Sequence, residues 1–496
     1  MHGELKLQAE LVRHSVQTRR PVFLVAPCMA LIDALMFALA FCAALLVVNW
    51  QGTIVDTLPQ LQAPRFEATS IYLVIATVAL ATFWVHGHYT RRRPFWDELR
   101  VIWRVLALAA VFNFAMYFLA HLSPSRSSIV SAWLFLLVLL PLGRIAIRML
   151  LQRVKLWRRP VLVVGHGQNA LDAHAALTRE KQMGMEVIGF ATLDPAGPSF
   201  VRIGKTLVPV YPLGEEPERV FAELGCHSAV VALDWLDPAL ASPLIARLNR
   251  FKLDVSVVPS IRGLPVYGLE TQHFLAQEML FLRIQNNLAR PSAKFVKRVF
   301  DVIAASILLV LLLPLLLYVG WCIWREDGGP VVLKQMRMGE EGKEFAFLKF
   351  RSMTRDADAT LMGWKTANPA LYAEYVRNNF KLVHDPRVLL VGSWIRRTSI
   401  DELPQLINVI RGEMSLVGPR PLLARELPDY SEDAFAMYML VKPGITGLWQ
   451  VSGRSGTSFL DRAALDARYV RNWSLWQDFV ILMKTLHVVC HRDGAY

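Results

Sequence analysis

The sequence predicts an α-helical membrane region followed by α/β domains, and three observations predict it. Four long apolar runs fill the first third of the chain. A buried-strand run then leads into a glycine-rich turn and a helix-like segment, and a fifth apolar run follows with cations on both flanks and a proline at its centre. In outline, 1–155 is expected to form a four-helix transmembrane bundle, 156–262 a Rossmann-like cytoplasmic domain and 263–291 a linker. Residues 292–496 are expected to form a re-entrant membrane helix joined to a further α/β domain. Composition agrees: the 496 residues are 54% hydrophobic and 19% charged, with mean hydropathy +0.34, too apolar for an ordinary soluble or disordered chain.

The net charge of +13 suits anionic headgroups, polyphosphate ligands or nucleic acid. The cations sit at membrane flanks and in short motifs rather than along one basic stripe, which sets nucleic acid aside. Cys28, Cys42, Cys226, Cys322 and Cys490 are odd in number and form no CxxC pair, so neither a disulfide framework nor a zinc site is supported.

The first run, 21–50, exceeds the ~20 residues that cross a bilayer core, and it lacks a small-residue cleavage signature, so a retained span is expected. Runs near 71–85, 101–120 and 129–151 complete four. Arg13, Arg19 and Arg20 precede the first span. Arg91, Arg92, Arg93 and Arg100 lie between the second and third. Arg148, Arg153, Lys155, Arg158 and Arg159 follow the fourth, while the opposite loops hold only Arg65 and Arg126. The positive-inside rule then places both ends of this region in the cytoplasm. Asp33, inside the first span, either marks a functional site or faces a neighbouring helix.

Next comes Pro160-Val161-Leu162-Val163-Val164, a strand run, then Gly165-His166-Gly167-Gln168-Asn169-Ala170, the G-x-G-x-x-A form of a dinucleotide turn. Further strands are expected at 187–190, 229–233 and 254–258. The same glycines also permit a ligand-free tight turn, and Asp194 falls late for the acidic ribose partner. Tyr211 and Tyr267 lack a Lys four residues on, and the one such match, Tyr438 with Lys442, lies outside this domain. A dehydratase or epimerase is therefore disfavoured.

The fifth run, 302–324, is long enough to span. Lys294, Lys297 and Arg298 precede it and Arg325, Lys334 and Arg337 follow, so both ends belong in the cytoplasm. Pro314 at its middle removes a backbone hydrogen bond, and a helix that enters, breaks there and returns satisfies both facts. A kinked spanning helix is the alternative.

Beyond it, Ile400, Leu403, Leu406, Ile407 and Ile410 have helical spacing, with Ser399 at the N-cap and Glu402 three positions on, an S-x-x-E capping box. Asp401 then lies in the first turn beside Arg396 and Arg397, where dipole and cations favour a carboxylate able to attack phosphorus. Capping alone is the competing role. Three neighbouring segments couple cations to rigid or glycine-bearing backbone: Lys349-Phe350-Arg351-Ser352-Met353, Gly418-Pro419-Arg420-Pro421, and 442–454 (KPGITGLWQVSGR). Such elements suit a diphosphate, whose charge calls for a divalent ion with Glu402 the available ligand. At the C-terminus, Trp473, Trp476 and Phe479 followed by 480–483 form an amphipathic pattern, either an interfacial anchor or a face packed on the core.

Through KFRSM, TSIDELPQL, MSLVGPRP, KPGITGLWQVSGR and the terminal RDGAY, residues from about 291 onward closely resemble the bacterial sugar transferase family, the monotopic phosphoglycosyl transferases. With four spans and a Rossmann-like module ahead, the whole chain is similar to the large, galactose-type members. The resemblance implies an α/β catalytic domain on the cytoplasmic face of the bacterial inner membrane. It implies transfer of a hexose-1-phosphate, galactose more than glucose, from UDP-galactose or UDP-glucose to undecaprenyl phosphate. That is the initiating step of exopolysaccharide or O-antigen synthesis and releases UMP. Carried over, Asp401 is the nucleophile, Glu402 holds Mg²⁺, and Lys349, Arg351, Arg396, Arg420 and Arg454 bind phosphate or uridine. A homodimer is also implied. The family often has Ser before the helix-breaking proline; here Leu313 precedes Pro314. A membrane nucleotide-sugar sensor or scaffold is the reading outside enzymology, and UMP release separates the two.

Overall fold

The computed structural model describes residues 24–49, 63–122, 126–214, 216–234, 238–251, 253–260, 269–273, 280–284, 290–377, 382, 385–452 and 459–491. The chain divides into two compact units, 1–261 and 262–496.

The first unit opens with four apolar helices, α1 (Val25–Asn49), α2 (Ala63–Val85), α3 (Phe95–Leu119) and α4 (Arg126–Arg153). Helix α1 packs along α4, and α3 packs on both α2 and α4. Their shared interior holds Met29, Phe37, Tyr72, Phe83, Leu106 and Leu136. Asp33 is fully buried and faces a neighbour, as one of its two readings expected. Arg144 donates to it from Nε at 2.9 Å and from Nη2 at 2.5 Å, and the Tyr89 hydroxyl donates at 2.8 Å. Arg144 Nη1 also donates to Glu98 at 2.6 Å. Arg148, read from sequence as a flanking cation, is instead buried and pairs with the same Glu98. Two carboxylates thus meet two guanidiniums, the arrangement that makes buried charge tolerable.

A six-stranded sheet follows, built from β1 (Arg159–Val164), β2 (Met185–Thr192), β3 (Phe200–Ile203), β4 (Thr206–Pro212), β5 (Ser228–Val231) and β6 (Asp254–Val257) in the order β3-β4-β2-β1-β5-β6. All pairings are parallel except the edge pair β3–β4. Four of these strands fall where the sequence predicts them; β3 and β4 carry no comparable apolar run. Between β1 and helix α5 (Gln168–Arg179) lies the glycine turn, and two more helices, α6 (Pro217–Glu223) and α7 (Pro238–Arg250), connect β4 to β5 and β5 to β6. The turn's seat is filled from within the chain: Asp234 Oδ1 accepts the Asn169 backbone N–H at 2.7 Å, and a Cβ on Gly167 would lie 1.5 Å from Asp234 Oδ2. Asp194 does not face this turn's helix start; its Oδ1 accepts the Ala196 N–H at 2.9 Å in a local turn.

In the second unit the described part of the expected linker is a hairpin, β7 (Leu269–His273) with β8 (Leu280–Ile284). Helix α8 (Pro291–Asp327) is 37 residues long and continuous, with Pro314 inside it. Two separate helices are therefore not seen: proline removes one backbone hydrogen bond, which can bend a helix without ending it. Together α1 to α4 and α8 are five helices long and apolar enough to cross a membrane.

Both ends of α8 are tied to this one unit. Near its start, Lys297 bonds Asp478 at 2.7 Å, Arg298 donates to the carbonyls of Val409 and Ile410 at 2.6 and 2.8 Å, and Asp301 accepts from Ser415 Oγ at 2.8 Å. Near its end, Val319 and Ile323 pack with Phe350, Leu389 and Ile395. There the Glu326 carboxylate accepts the backbone N–H groups of Leu390 at 2.5 Å and Val391 at 3.1 Å. Between the anchors, Ile307, Val310, Leu311 and Leu317 are exposed.

The rest of the unit comprises the antiparallel pair β9 (Val332–Met338) and β10 (Glu344–Phe350), then α9 (Ala357–Ala367), α10 (Pro369–Arg377), α11 (Leu390–Arg397) and α12 (Gln405–Arg411). The parallel pair β11 (Ser415–Val417) and β12 (Gly444–Thr446) is completed by α13 (Glu432–Met439), α14 (Leu448–Ser452), α15 (Phe459–Arg471) and α16 (Leu475–His491). Helix α16 packs in part on the core of this unit. Asp478 and Ile481 are buried against the core, with Trp473 just ahead, whereas Met483, Leu486 and Val489 are exposed.

Candidate active site

The site forms where the two small sheets approach α12. In β10, Phe345, Phe347 and Lys349 share one face by strand alternation. On β9, Gln335 pairs opposite Phe347 and Arg337 opposite Phe345, so they present to the same side. Phe350 ends the strand; beyond it the chain leaves the sheet, and Arg351 turns to Asp327 Oδ2 at 2.8 Å and the Gly328 carbonyl. Arg351 is thus committed to the end of α8 and is not among the residues lining the cleft.

Two of the sequence motifs are joined by backbone. Gly418 N–H donates to Thr446 O at 2.9 Å, and Gly444 N–H to Pro419 O at 2.8 Å. A Cβ on Gly418 would lie 2.5 Å from the Lys442 carbonyl, and one on Gly444 would lie 2.1 Å from Gly418 N, so only glycine allows this approach. Arg420 is thereby set beside Gly444 and Ile445, with its guanidinium 5.7 Å from the Trp449 ring centroid.

Asp401 lies in a single 3₁₀ turn, Ile400–Glu402, ahead of α12. The helix was expected to begin at Ile400 with Ser399 as its cap. Pro404 has no N–H to return to the Ile400 carbonyl, so that carbonyl accepts from Leu403 at 3.1 Å and the first turn tightens. Ser399 takes a left-handed conformation and makes no side-chain cap bond, so the capping box is absent. Its loss removes capping by Ser399 as a purpose for the motif. Asp401 is 3% exposed, and Lys349 Nζ lies 2.7 Å from its Oδ2.

Beside this pair opens a small cleft. Lys349, Glu402 and Arg420 line it, together with Gln335, Arg337, Gln405 and Gln450; the sequence reading took Arg337 only as a membrane-flanking cation and met Gln405 and Gln450 only inside longer motifs. For Arg337 and Gln335 the available signal was the polar alternation of β9. Arg337 donates to Pro421 O at 3.0 Å, and burial and the nearby Arg420 charge lower its pKa. Two guanidiniums and an ammonium around one cleft make it a receptor for polyanions. Arg396 sits at the end of α11, half-buried, and is not among the lining residues. Arg454 lies outside the described residues.

Among the described residues no group of three or more His, Cys, Asp or Glu could cage a metal. Glu402 alone offers a carboxylate to the cleft. That donor set fits Mg²⁺, which is commonly held by one or two carboxylates together with substrate phosphates and water.

Comparison with known proteins gives this geometry its context. The family described as bacterial sugar transferase matches residues 292–492. The UDP-galactose-lipid carrier transferase of Erwinia amylovora is 38% identical over 472 residues, 94% of this chain and 97% of that protein. The undecaprenyl-phosphate galactose phosphotransferase of Salmonella typhimurium is 38% identical over 429 residues, covering 86% and 88%. The UDP-glucose:undecaprenyl-phosphate glucose-1-phosphate transferase of Escherichia coli is 27% identical over 451 residues, covering 86% and 90%.

Proposed function

The chain belongs to the bacterial sugar transferase family and is a sugar-phosphate transferase. From that premise we propose that it moves hexose-1-phosphate from a UDP-sugar to undecaprenyl phosphate through an aspartyl intermediate, the first membrane step of exopolysaccharide or O-antigen assembly. The observation that carries the reading is the buried Asp401 carboxylate 2.7 Å from Lys349, beside a cleft ringed by cations. One Asp401 oxygen attacks the sugar-bearing phosphorus. The bond from that phosphorus to the bridging oxygen breaks, and its electron pair leaves with UMP. An undecaprenyl phosphate oxygen then attacks the same phosphorus, and the aspartyl–phosphorus bond breaks to regenerate the carboxylate. Two displacements replace one, so the soluble donor and the lipid acceptor need not be bound together. Lys349 orients Asp401, and Arg337 and Arg420 receive the diphosphate charge. Glu402 would hold Mg²⁺, which when bound supplies further neutralisation of that charge. Arg396 and Arg454 are assigned to binding through the family motif rather than through cleft geometry.

The donor is UDP-galactose in this reading: two galactose-named relatives are 38% identical, and two glucose-named ones 27% and 31%. The enzyme sits in the bacterial inner membrane, with α1 to α4 as a four-helix bundle and both its ends cytoplasmic. Helix α8, bent at Pro314 rather than broken into two helices, enters the membrane and returns to the same face. Support for this comes from its two anchors: at ~1.5 Å per residue α8 is roughly 55 Å long, yet one compact unit holds both ends. The six-stranded sheet is a Rossmann-like module in structural use, since Asp234 occupies the helix start where a pyrophosphate would sit.

UMP release by the full-length protein given undecaprenyl phosphate, Mg²⁺ and UDP-galactose or UDP-glucose tests the reading. Lipid-dependent release that disappears in Asp401→Asn is expected. Release by the variant at the wild-type rate would remove Asp401 as nucleophile, and no release from any UDP-sugar would leave the sensor reading.

A further inference from the structure

Gln405 is the one cleft-lining side chain whose chemistry the reaction above leaves unused although it is almost fully enclosed. It opens α12, is 1% exposed, lines the cleft, and its Nε2 has no hydrogen-bond partner among the described residues. A buried amide donor left unmade is unfavourable, and native interiors rarely keep one without a use.

The contrast with Asn408, three residues on in the same helix, is direct. That carboxamide is 0% exposed and fully engaged: it accepts from Leu348 N–H at 3.1 Å and donates to Ala346 O at 2.8 Å and to Glu413 at 2.6 Å. Where α12 buries a carboxamide for the fold, its donors are satisfied. Gln405 is buried at the wall of the cleft and is not, so its partner arrives with the ligand.

Position and surroundings say which part of the ligand. Gln405 follows Asp401 by four residues, about one helical turn. The groups that line the cleft with it include Lys349, Arg420 and Glu402, the set that receives phosphate. Resting on the transfer reaction proposed above, we infer that Gln405 Nε2 donates a hydrogen bond to a non-bridging oxygen of the phosphoryl group that Asp401 attacks. The amide stays neutral and passes no proton; the bonds made and broken are those of the displacement alone. Its contribution is directional: a fixed donor toward an oxygen whose charge is redistributed as the phosphorus changes partners. A fourth cation there would instead repel Lys349, Arg337 and Arg420.

The test uses the full-length protein in lipid nanodiscs with UDP-galactose, undecaprenyl phosphate and Mg²⁺, reading UMP release and the thermal midpoint for wild type, Gln405→Met and Gln405→Glu. Methionine keeps the length and removes the donor. The expected result is a kcat lower by about hundredfold to thousandfold, as for loss of one preorganised donor, with KM for the UDP-sugar within about threefold and a thermal midpoint equal to or above that of wild type. Glutamate replaces the donor with an anion facing the phosphoryl group and is expected to lose more than methionine does. Wild-type kcat in Gln405→Met, a rise in KM alone, or a fall in the midpoint that accompanies the loss of activity would each overturn the inference, the last by making Gln405 a packing residue. Absence of UMP release from wild type is a separate result, which would remove the transfer reading and this inference with it.

Discussion

Asp466→Asn should stabilise the protein in a way that depends on pH, and the structure gives both sign and size. Asp466 on α15 is 3% exposed. Its Oδ2 accepts from the Tyr430 hydroxyl at 3.3 Å, the Arg420 main chain also hydrogen-bonds the carboxyl, and Oδ1 has no partner. No described cation pairs with it, so burial pushes the carboxyl up to about 7 from an ordinary 3.8. Below the unfolded pKa, near 4, both folded and unfolded chains hold the proton and the group exerts no penalty. As pH rises from about 4 to about 7 the unfolded chain releases the proton and the folded one keeps it, so stability falls, and above about 7 the loss is complete. Three pKa units at 1.36 kcal/mol each set an upper bound of about 4 kcal/mol. Asparagine keeps the shape and the acceptor oxygen and never ionises. Its thermal midpoint in detergent should therefore exceed wild type by several degrees at pH 8, and the gap should close near pH 4. Taking the difference between the two proteins at each pH cancels the titration of every other carboxylate. A gap independent of pH, or a variant less stable than wild type at pH 8, would refute the reasoning.

Two further perturbations probe the first unit. Arg144→Met removes the guanidinium shared by Asp33 and Glu98 and leaves both carboxylates buried, which should cost about 3–5 kcal/mol. The check is the thermal midpoint and monodispersity in detergent, and an unchanged midpoint would show that the network contributes nothing net. Asp234→Ala removes the acceptor of the Asn169 N–H at the start of α5 and should cost about 1 kcal/mol, read as a lower midpoint. Added NAD⁺ should leave the wild-type midpoint unchanged, and a shift would mean that a dinucleotide displaces Asp234.

What the sequence revealed and what it concealed follow from how each feature is encoded. Apolar runs and strand runs are local, so α1 to α4, α8, β1, β2, β5 and β6 were all legible. The joining of Gly418-Pro419-Arg420 to Gly444 was legible only in part: glycine beside cation marks a phosphate-type motif, but their mutual backbone bonds depend on β11 pairing with β12. Lys349 and Arg351 look equivalent in sequence, yet the sheet ends at Phe350, so Lys349 reaches Asp401 while Arg351 bonds the end of α8. Arg337 reads in sequence only as one of the cations flanking α8, and Gln405 as a neutral residue within a longer motif; their places in the site show only in what surrounds them, one at a cleft wall beside Arg420, the other as a buried donor without a partner. The pairing of Asp33 with Arg144, 111 positions away, had no local signal beyond the rarity of charge in an apolar helix. The misplacement of the α12 start was of a different kind, since Pro404 stood in plain view. A proline four residues after Ile400 cannot return a hydrogen bond to its carbonyl, and that single missing N–H turns the first turn into the 3₁₀ segment carrying Asp401. The position of Asp401, the proposed nucleophile, therefore depends on an atom that is absent, which places Pro404 among the residues that shape the site although it has no reactive group of its own.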